Sequence, residues 1–186
     1  MRSCSGSWPI RFLSEAKNIL LLGPPGVGKT HLAIALAIKA CQQRKRVLFC
    51  TAEKLGNDLA AADVTRSLSK LLQNLTRVDL LVIDELGYTE LSKKTTSLFF
   101  QIITRRYEKG SIIVTSNKAP EQWGEIFQDD VIAAAILDRL LHHSYPFFIQ
   151  GKSYRMKELI EHEKTSPARR QTESSKGGTP ASTTPT

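Results

Sequence analysis

Short apolar runs alternate along the chain with longer stretches in which apolar positions recur every three or four residues. The runs Asn18-ILLL-Gly23, Arg46-VLFC-Thr51, Val78-DLLVI-Asp84 and Ser111-IIVT-Ser116 are short, rich in branched side chains and bounded by turn or polar residues, which predicts strands. Pro146-FFIQ-Gly151 reads as a last strand. Helical periodicity predicts helices over 31–43, 93–109 and 129–143, and further helix within 51–76. Strands that are apolar on both faces and alternate with helices imply a parallel sheet covered on each side. The expected fold is therefore a three-layer αβα sandwich of the α/β class.

At 186 residues the chain fits one domain with a sizeable core. The expected organisation is a short lead over 1–17, one folded domain over 18–160 and a polar tail over 164–186. That tail lacks Leu, Ile, Val and aromatic residues, so it cannot bury enough surface to offset its ordering entropy and is expected to be disordered.

The longest apolar runs, Leu32 to Ile38 and Val131 to Leu137, fall far short of the roughly 20 residues of a membrane span. MRSCSGSWPIRF has no continuous apolar core of a secretory signal, and Cys4, Cys41 and Cys50 are three cysteines at unrelated spacings. The expectation is a cytoplasmic protein without disulfides, a zinc site or a membrane partner. A formal charge of +8 makes a polyanionic partner plausible. Its cations gather at 44–46, at Lys93-Lys94, at Arg105-Arg106 with Lys109, and at Lys152, Arg155 and Lys157. Solvated helix ends and loops are the plainer reading of each cluster.

The chemistry begins between the first strand and the first long helix. Gly23-Pro24-Pro25-Gly26-Val27-Gly28-Lys29-Thr30 matches G-x4-G-K-[ST] in the strand–loop–helix context that pattern needs. Backbone amides of such a loop curl around phosphates at a helix N-terminus, Lys29 reaches the β and γ phosphates, and the Thr30 hydroxyl can ligate Mg²⁺. Val78-DLLVI-Asp84-Glu85 then delivers two carboxylates at a strand's carboxyl end, where open α/β sheets bind ligands. The natural division of labour gives Asp84 the magnesium and Glu85 the attacking water.

Asn117-Lys118 opens like the Asn-Lys-x-Asp signature that reads guanine, but position 120 is Pro, so the acidic acceptor for the base is missing. Asn117 is better placed as a side chain that bonds the γ phosphate or the attacking water. A strand-capping Asn is the plain alternative. His31 reads as an ordinary helix histidine, His142-His143 as a pair suited to a helix C-terminus without need of a metal, and Trp8 and Trp123 as packing residues.

Together NILLLGPPGVGKTHLAIALAIKA, RVLF, DLLVIDELGY, LFFQIITRRYEKGSIIVTSNKAPEQWGEIFQDD, AAAILDRLLHH and SYRMKE resemble the IstB-like ATP-binding proteins, AAA+ helper ATPases of insertion-sequence transposition similar to DnaC helicase loaders and DnaA initiators. The resemblance covers roughly 18–158. It implies an AAA+ type P-loop NTPase that uses ATP and Mg²⁺, forms homo-oligomers on double-stranded DNA through backbone contacts, and delivers a target to a transposase. A replicative helicase is the alternative client.

Carried over, the pattern makes Gly23 to Thr30 Walker A, Asp84 and Glu85 Walker B, Asn117 sensor 1, and Arg139 of A-I-L-D-R-L-L an arginine finger for the neighbouring subunit's ATP. Without the family, Arg139 beside Asp138 reads as half of a surface ion pair. Arg155 is a weaker candidate for a phosphate or a DNA backbone.

Relatives of this kind carry a helical region before the core, whereas about seventeen residues precede the first strand here, as a truncated or differently started copy would have. Gln43-Arg44 stands at a turn where a glycine would cap the preceding helix. Two other classes stay open: a small-molecule kinase on the same loop, which would need an arginine-bearing lid, and a remnant that binds ATP without turnover.

Overall fold

The computed structural model describes residues 11–154. The reading of Trp8, Arg155 and the 164–186 tail lies outside the described residues. The elements run α1 (Arg11–Ser14), β1 (Asn18–Leu22), α2 (Lys29–Gln42), β2 (Val47–Thr51), α3 (Ala52–Val64), α4 (Leu68–Arg77), β3 (Leu80–Leu86), α5 (Lys93–Arg106), β4 (Ser111–Ser116), a 3-10 turn (Pro120–Gln122), α6 (Trp123–Phe127), α7 (Asp130–His142) and β5 (Ser144–Phe148).

All five strands are parallel, in the order β2-β3-β4-β1-β5. Because side chains alternate across a strand, the central strands feed two cores. Ile19, Leu21, Leu80, Val82 and Ile113 face α1 and α2, which meet them with Phe12 and the small Ala33, Ala37 and Ala40. Leu20, Leu22, Leu81, Ile83, Ile112 and Val114 face the larger layer of α3 to α7. The three-layer αβα expectation holds.

The two edge strands depart from it. Leu48 and Phe49 of β2, and Tyr145, Phe147 and Phe148 of β5, remain exposed, because each edge strand lacks a neighbour on one side. The predicted helix within 51–76 is two helices, separated at Thr65–Ser67 where Arg66 takes a positive φ of 57°. Helices α3, α5 and α7 start where Thr51, Ser92 and Asp129 accept from the amides of Lys54, Thr95 and Ile132. At the end of α2, Arg44 takes the left-handed conformation usually left to glycine, at φ 59°, while the Lys45 amide reaches back to Ala40 O.

Arg106 belongs to no surface basic cluster. It is 1% exposed, and its guanidinium donates to the carbonyls of Leu75, Val78, Asp79 and Ser111. Burial pulls its pKa down to about 10, which still leaves it charged at neutral pH. Asn18 ties α7 to the sheet, donating to Leu140 O and accepting from the Ile112 amide. Among the described residues no helix is long and apolar enough to cross a membrane.

Candidate functional site

The carboxyl ends of β1, β3 and β4 lie side by side and carry the functional residues on adjacent strands. After β1 the chain runs through Gly23–Gly28 into α2, whose first residues are Lys29 and Thr30. Lys29 is buried, with Nζ 2.7 Å from both Gly23 O and Pro24 O. Gly26, Val27, Gly28, Lys29 and Thr30 form one wall of a cleft of about 500 Å³, a size suited to a cofactor. Gly23, Pro24 and Pro25 form the base of the loop outside that wall.

Segment 149–154, following β5, crosses over this loop. The Ile149 amide donates to Leu22 O at 2.7 Å and the Tyr154 amide to Gly26 O at 3.0 Å. The contact explains two glycines: a Cβ on Gly23 would stand 2.0 Å from Ile149 O, and one on Gly26, at φ 78°, would stand 2.1 Å from Ser153 Oγ. The predicted strand to Gly151 therefore stops at Phe148, because the residues after it turn to cover the loop. Lys152 and Tyr154 line the cleft, a role that the basic cluster and the S-Y-R string did not reveal.

β3 delivers Asp84 and Glu85 by an irregularity. Ile83 pairs with Val114 and Leu86 with Ser116, so β3 spends one residue more than β4 over the same span. The extra residue makes a β-bulge, and Glu85 absorbs it at φ 62°. Asp84 stays buried at 3% exposure while Glu85 turns out to line the cleft. The predicted strand end at Asp84 is thus a bulge within a strand that continues to Leu86.

Two hydroxyls meet at Asp84 Oδ1. Thr30 Oγ1 donates to it at 3.1 Å and Thr115 Oγ1 at 2.5 Å, while the Glu85 amide donates to Thr115 Oγ1 at 3.0 Å. Thr115, on β4 between the two motif strands, was not singled out from the sequence. The signal available was its polarity: Thr115 and Ser116 are polar residues closing an otherwise apolar strand, and both are buried. A buried hydroxyl has to be bonded, and at a strand end its partner belongs to the site.

Asn117 lies just beyond β4 against Gly87, and its side chain is not part of the cleft wall. Its Oδ1 is buried without a hydrogen-bond partner. Arg139, on α7, is also apart from the cleft; it donates to Ala135 O at 2.9 Å and covers the Phe100 ring at 4.8 Å, so the ion pair with Asp138 does not form. His31 is exposed at the cleft wall, and Trp123 is buried in the core.

A phosphate-type loop after β1, an acidic end on β3 and a polar end on β4 between them, in the order β2-β3-β4-β1-β5, define a P-loop nucleotide-binding core of AAA+ type. Within that class the chain belongs to the IstB-like ATP-binding protein family, whose match spans residues 3–162. It is 51% identical over 149 residues to the insertion sequence IS21 ATP-binding protein of Pseudomonas aeruginosa, covering 80% of this chain and 56% of the relative. It is 47% identical to the IS5376 ATP-binding protein of Geobacillus stearothermophilus, covering 80% of this chain and 59% of the relative. The chain thus spans somewhat over half the length of these curated relatives. Among solved structures, the DnaC helicase loader is similar with a TM-score of 0.61 at 26% identity, covering 76% of this chain and 86% of that one.

Proposed function

We propose that this chain is the ATP-hydrolysing core of an AAA+ helper of DNA transposition, which assembles on double-stranded DNA and delivers a target to a transposase. The observation that carries the reading is the convergence of Thr30, Asp84, Thr115 and Glu85 beside the phosphate loop. The loop amides would cradle the phosphates at the start of α2, with Lys29 leaving its carbonyl partners for the β and γ oxygens.

Thr30 and Asp84 offer hard oxygen donors of the kind Mg²⁺ takes, and their 3.1 Å contact fits a shared ligand position. When bound, Mg²⁺ would neutralise charge on the β and γ phosphates. Glu85, turned into the cleft by the bulge, takes a proton from water as the water oxygen bonds to the γ phosphorus. The bond to the bridging oxygen breaks, and ADP leaves with that electron pair. Asn117 would accept from the attacking water with its unpartnered Oδ1, next to the Glu85–Gly87 turn, or donate to the γ phosphate through its Nδ2.

Arg139 lies outside the lining of its own cleft, which suits a cation offered to the ATP of a neighbouring subunit. Leu32, Ile34 and Ile38 on the outer side of α2 are exposed apolar residues that a homo-oligomer would cover. The +8 charge favours a DNA backbone. A helicase loader is the second reading, favoured by the likeness to DnaC. Fluorescence anisotropy of labelled duplex DNA with ATP, ADP and no nucleotide tests the proposal. ATP-dependent binding that weakens steeply with salt is expected, and no binding at low salt under any nucleotide would overturn it. Co-purification with the transposase of the same insertion sequence, against a replicative helicase, separates the two clients.

A further inference from the structure

The geometry points to a transition-metal site formed by Glu108, His142 and His143, of the class that takes Zn²⁺, away from the nucleotide cleft. Glu108 follows the end of α5, His142 is the last residue of α7 and His143 is its C-cap. One donor atom of each lies within 4.8 Å of the donor atoms of the other two, the one such cluster found among the described residues. His143 Nε2 is 3.1 Å from Glu108 Oε1, and the two imidazole rings stand 4.2 Å apart, tilted by 38°.

Donors of a tetrahedral Zn²⁺ with bonds near 2.0–2.1 Å sit about 3.3 Å from one another, so small rotations of the exposed Glu108 and His142 toward the partly buried His143 close the site. Two imidazoles and a carboxylate are borderline nitrogen and oxygen donors, which favour Zn²⁺ over Mg²⁺ and leave a fourth position for water. The support around the ligands fits as well. His142 Nδ1 is hydrogen-bonded to the Tyr107 hydroxyl, whose ring stacks on it at 13°. A ring nitrogen held in this way fixes the imidazole and leaves Nε2 for a metal. His143 is set by its backbone, since its carbonyl accepts from the Asn18 amide at 2.7 Å.

The plainer reading is a surface hydrogen bond between His143 and Glu108. It accounts for that pair but leaves unexplained why His142, from the same helix end, is brought to the same point and oriented by a tyrosine. The site lies at the amino-terminal start of β1, and the phosphate loop lies at its other end, roughly 17 Å away for a strand of this length. Its consequence is mechanical: an ion here clamps the end of α5 to the end of α7, one turn from Arg139.

The test is zinc titration of the untagged chain, stripped with chelator and dialysed, by isothermal calorimetry, beside His142→Gln, His143→Gln, Glu108→Gln and the double His142→Gln/His143→Gln variant. One equivalent of Zn²⁺ is expected, with affinity about 10-fold or more weaker in each single variant and undetectable in the double variant. Circular dichroism and ATP affinity should be unchanged, which separates lost ligation from lost folding. Co²⁺ gives a second readout, through visible absorption bands that disappear with the histidines. Zinc binding that survives the double variant, as binding by the cysteines would, or no binding to the unsubstituted chain, overturns the proposal.

Discussion

The Thr115 hydroxyl donates to Asp84 Oδ1 at 2.5 Å and accepts from the Glu85 amide at 3.0 Å, so one side chain on β4 holds both halves of the acidic pair on β3. This is where the β-bulge sits, and the hydroxyl satisfies an amide that the displaced ladder leaves without a strand partner. Thr115→Val keeps the shape and removes the hydroxyl. It should cost about 1–3 kcal/mol of stability by leaving a buried amide unsatisfied. In the proposed mechanism the ATPase rate should also fall about 10-fold or more, with ATP affinity little changed. Chemical denaturation and steady-state kinetics read the two effects separately.

Glu85 occupies a left-handed conformation that costs a residue with a Cβ about 1–2 kcal/mol. Glu85→Gly should therefore raise the stability of the chain, by about 1 kcal/mol once the added freedom of the unfolded glycine is allowed for. The same change should abolish hydrolysis. A gain in the urea midpoint with loss of turnover would mark strain kept for function.

Much of this site was legible in the sequence because its parts are contiguous. The spacing Gly23 to Thr30 and the apolar run into Asp84 each specify a strand end locally, and parallel strands bring their carboxyl ends together. Thr115 was missed because its partners are 30 and 31 residues away and its own neighbours give no motif. The strap over the loop was hidden for a related reason: Pro146-FFIQ-Gly151 reads as continuous strand, and only the close approach of Ile149 to Gly23 and Ser153 to Gly26 ends it. Arg106 was misread because its acceptors are backbone carbonyls, which leave no trace in side-chain patterns.

Arg106 is a fully buried charge whose hydrogen-bond acceptors are backbone carbonyls. Arg106→Met fills similar volume but leaves the carbonyls of Leu75, Val78 and Ser111 without this donor. The expected loss is about 3 kcal/mol or more, read as a shift of the denaturation midpoint. Arg106→Lys should recover little of it, because one ammonium cannot reach acceptors that the guanidinium fork spans.

Cys41 is exposed on α2, whereas burial pushes the Cys50 thiol up to about 11. A raised thiol pKa keeps the nucleophilic thiolate at about one part in a thousand at pH 8. Alkylation of the folded protein at that pH, followed by peptide mapping, should label Cys41 quickly and Cys50 only after unfolding. Rapid labelling of Cys50 in the native protein would show that β2 opens at the sheet edge.

The central claim is that Glu85, on the bulge beside Asp84, activates the water that hydrolyses ATP. It is tested most directly by the steady-state ATPase rate with and without double-stranded DNA, for the unsubstituted chain, Glu85→Gln and Arg139→Ala. The account predicts DNA-stimulated turnover that Glu85→Gln reduces by 100-fold or more, on the order expected for losing a general base, while ATP binding persists. Arg139→Ala should lose the rate only where subunits assemble. Turnover by Glu85→Gln at the unsubstituted rate would contradict the account.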